Sequence, residues 1–152
     1  MMETRIESLP DYRIAYVRQV GPYGAGNVRA MEELKSWAEV RGMLVDSAIL
    51  FGIPQDDPRL TEPDRCRYDA CIVIPEQYES GDAIHTGRFL GGQYAVITVK
   101  HTAEDVQKAW SEIIPAIISS GYQVDNKPII ERYTGGLLKQ HLCEICVPVT
   151  KL

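Results

Sequence analysis

The 152-residue chain contains no apolar run approaching the roughly twenty residues that a membrane-crossing helix needs. It also lacks any run of Lys or Arg, and 16 basic against 21 acidic residues leave a formal charge of -5. A duplex binder needs a basic patch to displace counterions, so no direct nucleic-acid partner is expected. The opening Met1-Met2-Glu3-Thr4-Arg5 runs into polar sequence without a secretory leader, and the expectation is a cytoplasmic protein that does not enter a membrane. Cysteine is scarce: Cys66, Cys71, Cys143 and Cys146 are all there is. Only Cys143-x-x-Cys146 has the spacing of half a metal knuckle or a redox pair, and it lies in an alternating strand-like run rather than at a turn or helix start. Cys66 and Cys71 are wrongly spaced for a second knuckle, so buried free thiols are expected, with no metal and no cofactor. Phosphate-binding signatures are missing too, since neither a GxxxxGK[S/T] loop nor a dinucleotide fingerprint accompanies Gly91-Gly92. Asp56 and Asp57 lack the regular oxygen spacing of a calcium loop and read as solvated turn acids.

What is present is an ordinary globular composition, 45% hydrophobic, enough for one core across residues 1–152. Arg13–Val20 alternates like a strand and is broken by Gly21-Pro22-Tyr23-Gly24. From Asn27, a candidate N-cap, to Arg41 the apolar residues Val28, Met31, Leu34, Trp37 and Ala38 recur at helical spacing, and Gly42 is a candidate terminator. Strands are expected at 45–53 and 67–75, separated by a polar loop with Pro58 and Pro63. Residues 76–90 read as a polar connector. A further strand over 93–99 leads to a helix over 103–119, capped by Thr102 with Asp105 three residues on. Pro115 should kink that helix or end its regular hydrogen bonding.

The last stretch carries the strongest functional signal. Residues 129–134 and 142–149 are apolar runs around Gly135-Gly136 that read as a hairpin, each with one carboxylate, Glu131 and Glu144. A carboxylate inside an apolar strand is costly unless solvated, paired, hydrogen-bonded or protonated. Either acid could pair locally with Arg132, Arg67 or Lys139; the alternative is a ligand site. Tyr133 follows Glu131 by two residues and shares its face.

The order strand, helix, strand, strand occurs twice, over 1–75 and 91–152, with Asp69-x-Cys71 in register with Glu144-x-Cys146. A duplicated α+β fold with a central antiparallel sheet is expected, with helices on one side and a cleft along the seam open to the other face. Val20-Gly-Pro-Tyr23, residues 52–58, Cys66-Arg-Tyr-Asp-Ala-Cys71, residues 91–95, Trp110, Ser120-Gly-Tyr122 and Ile130-Glu-Arg-Tyr133 with Glu144 and Pro148 together resemble the GyrI-like small-molecule-binding domains, the family of gyrase-inhibitory proteins and of ligand-binding domains of multidrug-responsive regulators.

The resemblance implies a pocket for amphipathic or cationic aromatic molecules, with Tyr23, Tyr68, Trp110, Glu131, Tyr133, Glu144 and Cys146 as ligand-binding positions. Cys146 stands where related pockets can carry an aromatic residue. With no attached helix-turn-helix, a stand-alone sensor or sequestering protein is the expected role. Two alternatives follow from the same family. One is hydrolysis of strained cyclopropane-containing electrophiles, with Glu131 or Glu144 handling a water and Tyr68 or Tyr133 the departing oxygen. The other is interaction with DNA gyrase through an outer strand or the 54–65 loop. Edge strands also permit a homodimer.

Overall fold

A computed structural model describes residues 4–79, 81 and 84–152. Its strands are β1 (Thr4–Leu9), β2 (Tyr12–Val20), β3 (Ile49–Pro54), β4 (Arg67–Ile74), β5 (His85–Phe89), β6 (Gly92–Lys100), β7 (Tyr122–Val124), β8 (Ile130–Thr134) and β9 (Leu142–Lys151). The helices are α1 (Ala25–Val40), α2 (Ala103–Ser119) and the short α3 (Gly135–Lys139). The fold is α+β, with one large antiparallel sheet in the order β1-β6-β9-β8-β3-β4-β2-β5, while β7 pairs only with the far end of β9.

This order is symmetric about the β8–β3 junction, and its two ends are exchanged. β1, which precedes β2 in the chain, pairs with β6; β5, which precedes β6, pairs with β2. The two corners cross closely: a Cβ added at Gly91 would lie 1.9 Å from the Leu9 carbonyl oxygen, and the Gly91 N–H donates to Asp11 Oδ1 at 2.7 Å. No side chain fits at that crossing.

Strand alternation divides the core. One face carries Ala15, Leu50, Tyr68, Ala70, Ile72, Ala95, Ile97, Ile145 and Val147, covered by Ala30, Met31, Leu34 and Ala38 of α1 and by Ala109, Ile113 and Ile117 of α2. Their spacing of three and four residues puts each set on one helical stripe. The other face carries Ile14, Phe51, Ile53, Cys71, Phe89, Tyr94, Val96, Ile130 and Cys146, and among the described residues no helix contributes to it. Phe51 of β3 stacks on Phe89 of β5 at 4.5 Å between ring centroids, so the edge strand packs back onto the middle of the sheet.

Several local expectations change. The first helix begins at Ala25 behind Gly24, so Asn27 is inside it rather than at its cap. Gly42 does end it, at φ +69°, the left-handed region that glycine tolerates best. The Thr102 cap holds: its hydroxyl accepts from the Asp105 N–H at 3.2 Å and donates to Asp105 Oδ2 at 2.6 Å. α2 continues through Pro115 to Ser119. Pro115 is on the exposed side, where water can serve the carbonyl that loses its intrahelical partner. Gly135-Gly136 opens α3 instead of forming a tight turn, and residues 85–89 of the expected connector form β5.

Candidate ligand-binding site

Gly52 sits in the middle of the sheet with Ala70 on one side and Glu131 on the other. A Cβ there would come within 2.3 Å of the Tyr68 hydroxyl, so the missing side chain makes the space in which the Tyr68 phenol lies across β3 toward Glu131. Glu131 in turn accepts a hydrogen bond from the Tyr133 hydroxyl, two residues along the same face. His101 Nε2 stands 3.4 Å from that hydroxyl. Among the described residues Glu131 has no ion-pair partner. Burial, reinforced by the field of Glu131, pushes both the Tyr68 and the Tyr133 phenol above the ordinary tyrosine range, so both stay protonated.

Above this floor opens a cavity of about 700 Å³ on the helix-bearing face, a correction to the expectation of a cleft open to the other side. Tyr23 and Asn27 border it at the start of α1, Trp110 on α2, residues 54–59 on one flank and 124–131 on the other. Trp110 is 37% exposed at the mouth. The Tyr23 hydroxyl is engaged elsewhere, lying 2.9 Å from the carbonyl oxygens of Asp56 and Arg67 and accepting from the Asp56 N–H at 3.1 Å. Its ring is therefore the part left to line the cavity. The carboxylates of Asp56 and Asp57 are held below the usual range by hydrogen bonds from Arg67 and Arg59 respectively. Asn27 Oδ1 is buried without a hydrogen-bond partner among the described residues, an acceptor at the cavity edge.

Tyr23, Tyr68, Trp110 and Glu131 thus meet at one cavity, with Tyr133 behind the acid. Glu144 and Cys146 do not. β8 and β9 pair with Ile130 opposite Cys146, Glu131 opposite Ile145 and Arg132 opposite Glu144. With a side-chain period of two, Glu144 and Cys146 share the face away from the helices. Arg132 Nε donates to Glu144 Oε1 at 2.8 Å, its Nη2 reaches both oxygens of Glu7 at 3.0 and 3.1 Å, and Arg5 bonds both acids. Burial alone would raise the Glu7 carboxyl, and the Arg132 and Arg5 contacts outweigh it and hold it below its ordinary 4.5. Glu144 therefore belongs to an ion network that fastens β1 to β8 and β9.

The same alternation separates Cys143, on the helix side, from Cys146, on the other, so the two thiols of the CxxC point apart. Burial pushes each thiol up to about 12. No local sequence pattern points to Asn27 or the 124–130 flank as site residues, while at Gly52 an isolated glycine within a strand pattern is the signal of a close approach.

A deep cavity with an acid and aromatic rings in a symmetric antiparallel sheet is the setting in which the comparisons with known proteins fall. The GyrI-like small molecule binding domain family matches residues 2–150. The chain belongs to this family. Among its relatives is the SPbeta prophage-derived protein YosT of Bacillus subtilis (strain 168), whose name proposes a transcriptional regulator; it is 43% identical over 97% of this GyrI-like chain and 99% of its own. A DNA gyrase inhibitor of Edwardsiella ictaluri (strain 93-146) is 30% identical over 99% of each chain. In fold, the C-terminal domain of EcmrR superposes with a TM-score of 0.75 at 15% identity, covering 100% of this chain and 99% of the other. No helix among the described residues is long and apolar enough to cross a membrane.

Proposed function

We propose that this GyrI-like domain binds amphipathic aromatic cations in the cavity over Glu131, as a sensor or sequestering protein. The observation that carries the reading is the Glu131 carboxylate, half-buried, bonded only by Tyr133 and unpaired with any cation among the described residues, under the rings of Tyr23, Tyr68 and Trp110. Around the same cavity Asp56 and Asp57 are paired with Arg67 and Arg59, and Asp125 stands as a further carboxylate against Lys127. A diffuse cation brings less desolvation cost than a compact ammonium and can lie against aromatic faces.

Tetraphenylphosphonium and tetraphenylborate test this directly, because they share shape and differ in sign. Calorimetric titration is expected to show phosphonium binding, borate binding at least tenfold weaker, and a ten- to hundredfold loss of phosphonium affinity, roughly 1.4 to 2.8 kcal/mol, in Glu131→Gln. Equal affinities for the two ions, or an unaffected variant, would rule the reading out.

A second reading, hydrolysis of strained cyclopropane electrophiles, is favoured by two protonated phenols converging on Glu131. Glu131 would take a proton from the attacking water as a carbon–oxygen bond forms and the ring carbon–carbon bond breaks. The released electron pair would move onto a conjugated carbonyl oxygen, which Tyr68 stabilises by donating a hydrogen bond. Incubation with cyclopropane-fused dienones separates the two, since compounds that bind and are recovered unchanged leave binding alone. The name of the Edwardsiella relative supports a third reading, contact with gyrase, for which inhibition of supercoiling by the purified protein is the check.

A further inference from the structure

A second cavity, of about 410 Å³, opens on the face of the sheet opposite α1 and α2, and its charge is the reverse of the first. Its walls are apolar and aromatic, including Tyr16, Phe89 and Tyr94, while Arg18, Arg88 and Lys127 border it. Among the described residues Asp69 is the one acid that lines it, and it is already satisfied: Arg18 Nε and Nη2 hold its two oxygens at 2.7 and 2.8 Å, and Gln55 Nε2 adds a bond at 3.0 Å. That pairing uses two of the three Arg18 nitrogens, and Nη1 has no hydrogen bond among the described residues. Arg88 is matched by Glu76 in an exposed pair, the kind whose attraction water largely screens.

Lys127 is the unbalanced charge. Among the described residues it has no acid partner, and its Nζ stands 5.4 Å from the centroid of the Tyr94 ring. A Cβ at Gly92 would lie 2.8 Å from that nitrogen, so the glycine leaves the ammonium room above the ring. Burial, with Cys146 and Asp125 adding to it, pushes the Tyr94 hydroxyl up to about 12, and it remains a neutral donor.

We propose that this cavity is a second ligand site, for a small aromatic carboxylate. Its ring lies among Tyr16, Phe89 and Tyr94, and its carboxylate meets Lys127 Nζ and Arg18 Nη1 at the rim. An apolar floor without cations would hold neutral rings equally well, and a basic patch without a floor would hold inorganic anions; the combination selects a molecule with both parts. The proposal does not rest on the cation reading, because Tyr16, Arg18, Phe89 and Tyr94 border this cavity and not the one over Glu131.

Lys127 borders both cavities, so location has to be read at residues that border only one. The experiment is an amide proton–nitrogen NMR titration of the whole chain with 2-naphthoate, the neutral 2-naphthamide and the cation 2-naphthylmethylammonium. Naphthoate is expected to move the amides of Gly87, Phe89 and Tyr94 and to leave Gly52 and Glu131 in place. Naphthamide and the ammonium compound are each expected to bind at least tenfold more weakly at those positions. Lys127→Met, which keeps the alkyl stem of an exposed residue, is expected to weaken naphthoate at least tenfold, and Lys127→Gln to do the same. Absence of naphthoate binding, equal binding of the amide, shifts centred on Gly52 and Glu131, or variants that bind as well as the parent would each overturn the proposal, whatever tetraphenylphosphonium does.

Discussion

At the scale of single residues, Glu131 and Glu144 begin alike, each a carboxylate in an apolar strand, and end with different work. The difference lies in which way each faces and who is opposite. Glu144 is 8% exposed and shares its oxygens between Arg132 and Arg5, with Arg132 itself only 13% exposed. Removing one member of such a group leaves the others buried and under-compensated, which costs more than the pair contributes when complete. Glu144→Gln is therefore expected to lose about 2–4 kcal/mol of unfolding free energy in urea titrations while its tetraphenylphosphonium affinity stays within about twofold of the parent. A variant of normal stability that has lost the ligand would reverse the assignment and return Glu144 to the pocket. The sequence showed that both acids needed an explanation, and Arg132 was visible as a possible partner. Which acid faced the helices depended on the β8–β9 register, a long-range pairing that no local pattern encodes.

Among the elements, those with strong local signals were legible and those defined by their neighbours were not. α2 has its cap and apolar stripe in the sequence, and its bounds follow them. β1, β5 and β7 are edge or end strands in which most residues are only partly buried or exposed, so they lack the clean alternation that marks a half-buried strand. α3 was missed for another reason: Gly135-Gly136 has turn chemistry, yet Gly135 is there because backbone passes beside it. A Cβ at Gly135 would sit 2.0 Å from the Val45 carbonyl oxygen, and its N–H donates to the Ala48 carbonyl at 3.1 Å, whereas Gly136 has only Thr134 Oγ1 near, at 4.0 Å. Gly135→Ala is expected to cost about 1–3 kcal/mol, since backbone has to move, and Gly136→Ala to be neutral or to gain up to about 1 kcal/mol through better helix propensity. Thermal melts of the two variants decide it; equal effects would mean that the 45–48 segment gives way easily. Because β3 follows that segment and carries Gly52, a shift there also reaches the floor of the cavity.

For the whole molecule, the exchange of β1 and β5 between the two ends of the sheet makes each half depend on strands contributed by the other. Both faces of β4 and β9 are then buried, which is why Cys71, Cys143 and Cys146 have no measurable exposure. Burial raises all three thiols above their ordinary 9.0, Cys143 and Cys146 to about 12. In the unfolded chain they ionise near 9, so above that pH the unfolded state binds fewer protons than the folded one. The stability these thiols contribute is present in full below pH 9 and is lost as pH rises toward 12, at up to about 1.4 kcal/mol per pH unit for each thiol. Tyr68 and Tyr133, raised in the same direction, add a loss of the same sign above about pH 10. Urea unfolding at about pH 8 and pH 10.5 is expected to show this fall. An aromatic disulfide reagent is expected to modify these thiols of the native protein slowly and at one common rate, because β4 and β9 belong to a single interlocked sheet. Fast reaction of Cys71 with Cys143 and Cys146 still protected would show that the β4 half opens alone, and flat stability across that pH range would show that the thiols are less enclosed than the packing indicates.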